Sequence, residues 1–192
     1  MTADRTITEE RVPSKAELLE ALRSSGQNVL NTMRALPPER LEEGRYENGW
    51  NGRQILAHLA SIEWTYPRLI DIARQVTPTD AGPSAARASD ELPTRTMRGG
   101  NDAYNDRQVA KRAHLSVADL LAEFELNRAA TIRAVETADD ELFARRIRSA
   151  GGVTGPLALV FYQVAVAHVL GHTRDIAGSA PGDQPGAANL TR

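Results

Sequence analysis

The residues best suited to chemistry in this sequence are histidines, of which there are four. His168 and His172 stand four positions apart in the segment HVLGH, and on a helix this spacing brings two imidazoles to one face, close enough to share one metal ion. Two core histidines that only form hydrogen bonds would show the same spacing. Gly171 between them costs a helix about 1 kcal/mol relative to alanine, a cost that a close neighbour or a ligand would justify.

His58 is the third candidate ligand. It lies in the apolar stripe of a predicted second helix, between Ile55 and Ile62, where a polar ring needs a partner. A lone histidine on such a face is often simply hydrogen-bonded, but a bundle of helices could converge this ring with the other pair. Three neutral imidazoles leave positions open for water or substrate, which is typical of catalytic metal sites. Zn²⁺ fits best, although imidazole also suits Ni²⁺, Fe²⁺ and Cu²⁺.

The sequence contains no cysteine, and this narrows the chemistry. Disulfide scaffolds, thiolate zinc sites, iron–sulfur clusters and cysteine nucleophiles are excluded. If thiol chemistry takes place, the sulfur must arrive on a small molecule, and a metal ion held by imidazoles would bind it as a thiolate. Alternatively, the ion would lower the pKa of a bound water towards 7.

Length and charge exclude further classes. A chain of 192 residues suits one compact domain. Its formal net charge of −2 offers no basic excess for nucleic acid, so we expect no nucleic-acid partner. The N-terminal segment MTADRTITEER is charged, unlike a secretory signal, and the dense apolar run 157–167 is shorter than the roughly 20 residues of a membrane span. We therefore expect a cytoplasmic protein that does not enter a membrane.

Two of the helices that must position the histidines are predicted from their capping boxes. Ser14 is followed by Glu17 and then by apolar residues at steps of three and four, which predicts a first helix over about 14–36. The same pattern beginning at Ser116 predicts a long third helix over about 116–138.

The other two long helices carry the candidate ligands. The second predicted helix begins near Trp50 or Asn51 and continues to about Val76, with a kink at Pro67, because proline removes a backbone hydrogen bond. The fourth predicted helix covers about 156–177. A strand is the competing interpretation there, since valines are frequent, but the segment is too long for a usual strand.

The connections between these helices are predicted to be irregular. Residues 37–49 are polar and turn-rich, and residues 139–149 form a charged connection. Residues 77–100 form a long connection, which in a compact domain is either functional or a crossover. A short helix is expected over 101–113.

Four long helices and no convincing strand predict an all-α fold, a four-helix bundle over 14–178 with one long crossover connection after helix 2. We expect residues 1–13 to be flexible and the tail 179–192, rich in Gly, Pro and Ala, to be disordered.

Several segments resemble a known family. The chain resembles the second helix of the DinB-like superfamily in GWNGRQILAHLASIEW, with Trp50 eight residues before His58 and Glu63 five residues after it. It resembles the paired-histidine helix of that superfamily in AHVLGHTRDI. It also resembles the third helix of actinobacterial-type members in NDAYNDRQVAKR followed by SVADLLAEFELNRAATIRAV. The resemblance covers roughly residues 14–178, and the order, spacing and number of helices agree.

The resemblance implies a four-helix bundle with a crossover after helix 2, and a divalent metal held by His58, His168 and His172. Zinc or nickel is usual in the family, and many members are homodimers. Despite the family name, DNA binding is not implied. Characterised members include thiol transferases that use mycothiol or bacillithiol, a mycothiol-dependent maleylpyruvate isomerase, and relatives that hydrolyse a reactive natural product.

Four further polar residues are site candidates, each with a structural alternative. Glu63, about 140° around the helix from His58, is a candidate catalytic base or orienting group, although such a glutamate often pairs with an arginine. Tyr104 and Asn105 are candidates for binding a cofactor or cosubstrate at the pocket mouth, or for capping and packing. Arg174 is a candidate for binding an anionic group, or else an exposed residue at a helix end.

We predict a metal-dependent S-transferase that activates a low-molecular-weight thiol against an electrophilic small molecule, with residues 77–105 shaping access to the site. A metal-dependent hydrolase acting on a reactive small molecule is an alternative, with Glu63 as the nearest candidate base. A non-catalytic dimeric bundle with a vestigial metal site is a further alternative.

Overall fold

The structure is a computed structural model, and it describes residues 11–42, 49–76 and 99–178. Helices dominate these residues. The helices are α1 (Lys15–Ala35), α2 (Pro38–Glu42), α3 (Gly52–Glu63), α4 (Pro67–Arg74), α5 (Gly100–Lys111), α6 (Val117–Thr137), α7 (Leu157–Phe161) and α8 (His168–Ala177), and the strands are β1 (Arg146–Arg148) and β2 (Thr154–Pro156).

Capping boxes begin three of the long helices. The side chain of Ser14 accepts a hydrogen bond from the backbone of Glu17 at the start of α1, and Ser116 does the same for Asp119 at the start of α6. Both predicted helix starts are confirmed. At α3 the sequence predicted the start but not the cap, which is formed by Asn51 with Gln54.

The second helix differs from its prediction. It is not one kinked helix to Val76 but two helices, α3 and α4, separated by a turn over 64–66. Pro67 occupies the first turn of α4, where its missing N–H costs nothing. The prediction of a continuous helix was wrong because a proline starts a helix more easily than it continues one.

Two predicted connections contain regular structure. Residues 37–49, expected to be irregular, include the short helix α2. The expectation of no convincing strand was also wrong, because β1, within the predicted connection 139–149, and β2 form an antiparallel hairpin in which Ile147 pairs with Gly155. Strands of three residues are too short to show the alternating pattern by which strands are recognised.

The fourth long helix is confirmed, with one irregularity. α7 and α8 form a continuous helix through a π turn at Tyr162–Ala167, in which the N–H of His168 bonds to the carbonyl of Gln163, five residues back. Turns of this kind are rare and frequently occur at functional sites.

The packing of the helices confirms the all-α four-helix bundle. α1 packs against α6 and α8, and α3 packs against the same two helices. The first and second long helices of the chain are therefore diagonally opposite, unlike those of an up-and-down bundle. The predicted crossover connection follows α4 in the chain. The predicted short helix, α5, comes after this connection and packs against α3.

Of the residues that the structure describes, none belong to a helix both long and apolar enough to cross a bilayer. The predictions of a flexible segment over 1–13, a long connection over 77–100 and a disordered tail over 179–192 fall wholly or mostly outside the described part, on residues 1–10, 77–98 and 179–192.

We expect Gly171→Ala to stabilise the protein by up to about 1 kcal/mol, because alanine is the better helix former. A Cβ added at this position would meet no atom within 4 Å, so among the described residues no close neighbour explains the glycine. Urea unfolding of the metal-free protein measures the effect. Gly26→Ala is the contrasting variant, since its Cβ would lie 3.1 Å from Cγ of Arg128, and we expect it to destabilise. A loss of stability at Gly171 would contradict the prediction.

Candidate metal centre

Three histidine rings converge where α3 meets α8. Nε2 of His58 lies 3.3 Å from Nε2 of His168, and one ring nitrogen from each of His58, His168 and His172 lies within 4.8 Å of the others. Two nitrogens that bind one tetrahedral ion at about 2.0–2.1 Å are about 3.3 Å apart. The geometry therefore brings together all three histidines that the sequence singled out, at distances that suit one ion after small adjustments.

Burial keeps two of these rings neutral. Loss of hydration, which is the largest cause, and the neighbouring His168 and His172 together lower the pKa of His58 to about 3. Partial loss of hydration and the proximity of His172 likewise lower the pKa of His168, whose side chain is partly exposed, to about 4. At neutral pH both imidazoles carry a free lone pair, which is the form that binds a metal ion.

Hydrogen bonding within the protein does not account for the buried ring of His58. Its exposed fraction is 4%, its Nδ1 has no partner among the described residues, and its Nε2 faces only another imidazole nitrogen. One nitrogen of this buried ring has no partner and the other meets only a second imidazole, an incomplete set of hydrogen bonds that supports a ligand at the cluster. Trp50 covers the ring from one side, with its ring centroid 5.3 Å from that of His58.

A cavity of about 510 Å³ lies beside the histidines. His58 and His168 form part of its wall, and His168 is exposed to it. Tyr104 and Asn105, predicted as pocket residues, also line it. The other described lining residues are Trp50, Ile62, Thr65, Tyr66, Arg68, Leu69, Ile72, Asn101, Asp102, Ser149, Ala150, Gly151, Val153, Gln163 and Val164.

The remaining two candidates lie away from this cavity. Glu63 is fully buried, and its Oε2 accepts a hydrogen bond of 2.9 Å from Nη2 of Arg128. Burial raises the pKa of Glu63 to about 7, although the Arg128 guanidinium acts in the opposite direction. Arg174 is exposed near the end of α8 and donates to the carbonyl of Leu170. Neither residue lines the cavity.

Arg128 is a buried charged residue that the sequence motifs did not single out. Its guanidinium is 4% exposed and donates to Glu63, to the carbonyls of Leu22 and Ala165, and to Ser25 Oγ. A signal was present, because this arginine occupies a position of the buried stripe of α6, between Phe124 and Thr131. A charged residue at such a position requires buried partners.

Comparisons with known proteins agree with this fold. The profile of the family described as the DinB superfamily matches residues 21–176. The crystal structure of the mycothiol-dependent maleylpyruvate isomerase is similar, with a TM-score of 0.64 and 17% identity over 91% of this chain. The chain spans 65% of the length of that isomerase.

A second solved structure matches over most of both chains. It is YfiT from Bacillus subtilis, a probable metal-dependent hydrolase with an unusual four-helix bundle topology. The TM-score is 0.57 and the identity 15%, over 92% of this chain and 89% of YfiT. At such identities both similarities show the fold alone. No curated protein matches the sequence significantly.

In the metal-free protein, we expect the stability contributed by His58 to be lost as the pH falls from 6.5 to about 3. The folded-state pKa lies below the unfolded value, so in this window the unfolded chain binds more protons and the free energy of unfolding rises with pH. Urea unfolding in the presence of a chelator measures this slope. His58→Gln should reduce it by up to about 1.4 kcal/mol per pH unit. An unchanged slope would contradict a neutral, buried His58.

Proposed function

We propose that this chain, which belongs to the DinB superfamily, is a metal-dependent S-transferase. Such an enzyme activates a small-molecule thiol against an electrophilic substrate. The observation that carries the proposal is the convergence of His58, His168 and His172 beside a cavity of about 510 Å³. A cavity of this volume suits a small organic molecule.

The three imidazoles are the proposed metal ligands, with Zn²⁺ as the preferred ion and Ni²⁺ as the alternative. A divalent ion bound there would lower the pKa of a thiol in the cavity, so that the thiol is a thiolate at neutral pH. The chain contributes neutral ligands, since burial lowers the pKa of His58 and His168. It also leaves His168 accessible from the cavity.

The charged groups around the cavity favour a thiol over water as the nucleophile. A thiol has an ordinary pKa near 8.5 and loses its proton readily, whereas attack by water gains more from a nearby carboxylate base. Asp102, on α5, is the one carboxylate in the described cavity wall. Glu63 lies outside the wall and is paired with Arg128.

The wall of the cavity also suits a thiol of low net charge. Ile62 and Leu69 provide apolar contact, and Asn101 provides an amide for hydrogen bonding. The charged lining residues that the structure describes are Arg68 and Asp102, which have opposite signs. The fold similarity to a mycothiol-dependent isomerase supports mycothiol as the thiol.

In the proposed transfer, the sulfur forms a bond to an electrophilic carbon of the second substrate. The electron pair of the bond that breaks departs with the leaving group, and the thiol proton passes to solvent. Zinc and a homodimer complete the proposal and rest on the family, and a cytoplasmic location is proposed with them.

Metal-dependent hydrolysis is the second candidate, and the fold similarity to YfiT favours it. The same three histidines would hold the ion. The predicted base, Glu63, would have to leave its buried pair with Arg128, and this weighs against the candidate. A non-catalytic bundle is the third, and it predicts neither transfer nor hydrolysis.

We expect the purified protein to contain about one equivalent of zinc or nickel, measured by plasma mass spectrometry. His168→Ala should remove the metal and the rise in melting temperature on adding Zn²⁺, because two imidazoles bind far more weakly than three. The matched control is His114→Ala, which changes an exposed histidine outside the cluster. Metal content equal in the His168 and His114 variants would refute the proposed ligand set.

We expect turnover of a chromogenic electrophile to require both metal and an added thiol. A panel of mycothiol, bacillithiol, glutathione and cysteine identifies the thiol, and we expect mycothiol to be used best because the described wall carries no excess of charge. Turnover that proceeds without thiol and consumes water would support the hydrolase. A metal-loaded protein inactive with all thiols and electrophiles would support the non-catalytic bundle.

A further inference from the structure

We propose that Tyr66 and Arg128 are positioning residues for His168, because they hold the π turn that precedes this histidine. The inference rests on the proposed function in one respect, since it takes His168 as a metal ligand. Neither residue belongs to the π turn itself. Tyr66 lies in the turn before α4, and Arg128 lies on α6.

The spacing of buried residues shows why a wide turn is needed. Phe161, Ala165 and Val169 are all fully buried and stand four positions apart. In a regular α-helix, each step of four residues overshoots a full turn by about 40°, so these side chains would drift away from the core. The π turn at Tyr162–Ala167 takes up this drift. It thereby sets the rotation of α8, and with it the direction in which His168 projects.

Two carbonyls of the π turn accept hydrogen bonds from distant side chains. Tyr66 donates its hydroxyl proton to the carbonyl of Val164 at 2.6 Å, and Nη2 of Arg128 donates to the carbonyl of Ala165 at 2.9 Å. A π turn forms its hydrogen bonds five residues apart and is the exception in a helix. Outside donors at consecutive carbonyls therefore stabilise the irregular form over a regular α-helical turn.

Both donors are themselves held in place. Arg128 is fixed by Glu63 on α3 and by Ser25 on α1, at 2.9 and 3.1 Å. Tyr66 is 5% exposed and belongs to the apolar core. Because the donors are buried and anchored, they transmit the placement of α1, α3 and α6 to the helix that carries His168.

Loss of one donor should weaken metal binding, since the free protein could then relax to a different helix rotation. Groups that support metal ligands without touching the metal typically change metal affinity by about 10- to 100-fold. We expect Tyr66→Phe to reduce the Zn²⁺ affinity by about this factor and to change the visible spectrum of the bound Co²⁺ ion, which reports ligand geometry.

The matched control is Tyr162→Phe. This tyrosine is half-buried in the same π turn, and its hydroxyl makes no hydrogen bond to the described residues. Titration with Zn²⁺ and Co²⁺, together with melting of the metal-free proteins, separates positioning from stability. A Tyr66→Phe protein that melts lower but binds both ions as the Tyr162→Phe protein does would overturn the proposal.

A second variant tests Arg128 without leaving a buried charge alone. Removing both charges in Glu63→Gln with Arg128→Met avoids the unpaired carboxylate that would result from changing Arg128 only. We expect a folded protein with the same weakening of Zn²⁺ binding. Wild-type affinity in a folded double variant would show that Arg128 does not position His168.

The outcome remains decisive if the wild-type protein binds no metal. In that case the proposed function fails, and the positioning role is read from hydrogen exchange at the backbone N–H of His168. We expect faster exchange in Tyr66→Phe than in Tyr162→Phe, because the first loses a bond that holds the π turn. Equal exchange in the two variants would overturn the positioning role independently of any metal.

Discussion

The guanidinium of Arg128 is the interaction on which the arrangement of the four long helices depends. From α6 it donates to the carbonyl of Leu22 and the hydroxyl of Ser25 on α1, to Glu63 on α3, and to the carbonyl of Ala165 in the π turn. A buried charge costs several kcal/mol unless well-placed acceptors compensate for its lost hydration. Both Nη atoms of Arg128 have such acceptors, whereas Nε has none among the described residues. The bonds of the two Nη atoms therefore permit few relative positions of these helices.

A hydrogen bond of Tyr66 connects two irregular segments of the helices. One is the turn at 64–66 that separates α3 from α4, and the other is the π turn at Tyr162–Ala167. Residues of both line the cavity, including Thr65 and Gln163. Regular helices would pack ridge into groove along their full length and would leave little space between them. The bundle leaves space for a small molecule where two of its helices depart from regularity.

Glu63 and Arg128 do not share the cavity with the histidines. The pair of Glu63 and Arg128 is buried in the bundle and does not line the cavity, whereas burial and mutual proximity lower the pKa of His58 and His168. The sequence offered an arginine partner as the structural alternative for Glu63, and the structure contains this pair. Its partner stands 65 positions away, and no local pattern shows which of many arginines it faces.

The sequence by itself determined the long helices, their capping boxes at Ser14 and Ser116, and the restriction of strong metal ligands to imidazoles and carboxylates. These features are local, because caps and helical periodicity involve neighbours within a few residues. The candidate histidines followed from the same periodicity, but their convergence did not. Only the tertiary structure decided the break before Pro67, the π turn and the rotation of α8 about its axis. Each depends on contacts between residues far apart in the chain, such as that of Tyr66 with Val164, and such contacts exist only when the helices pack.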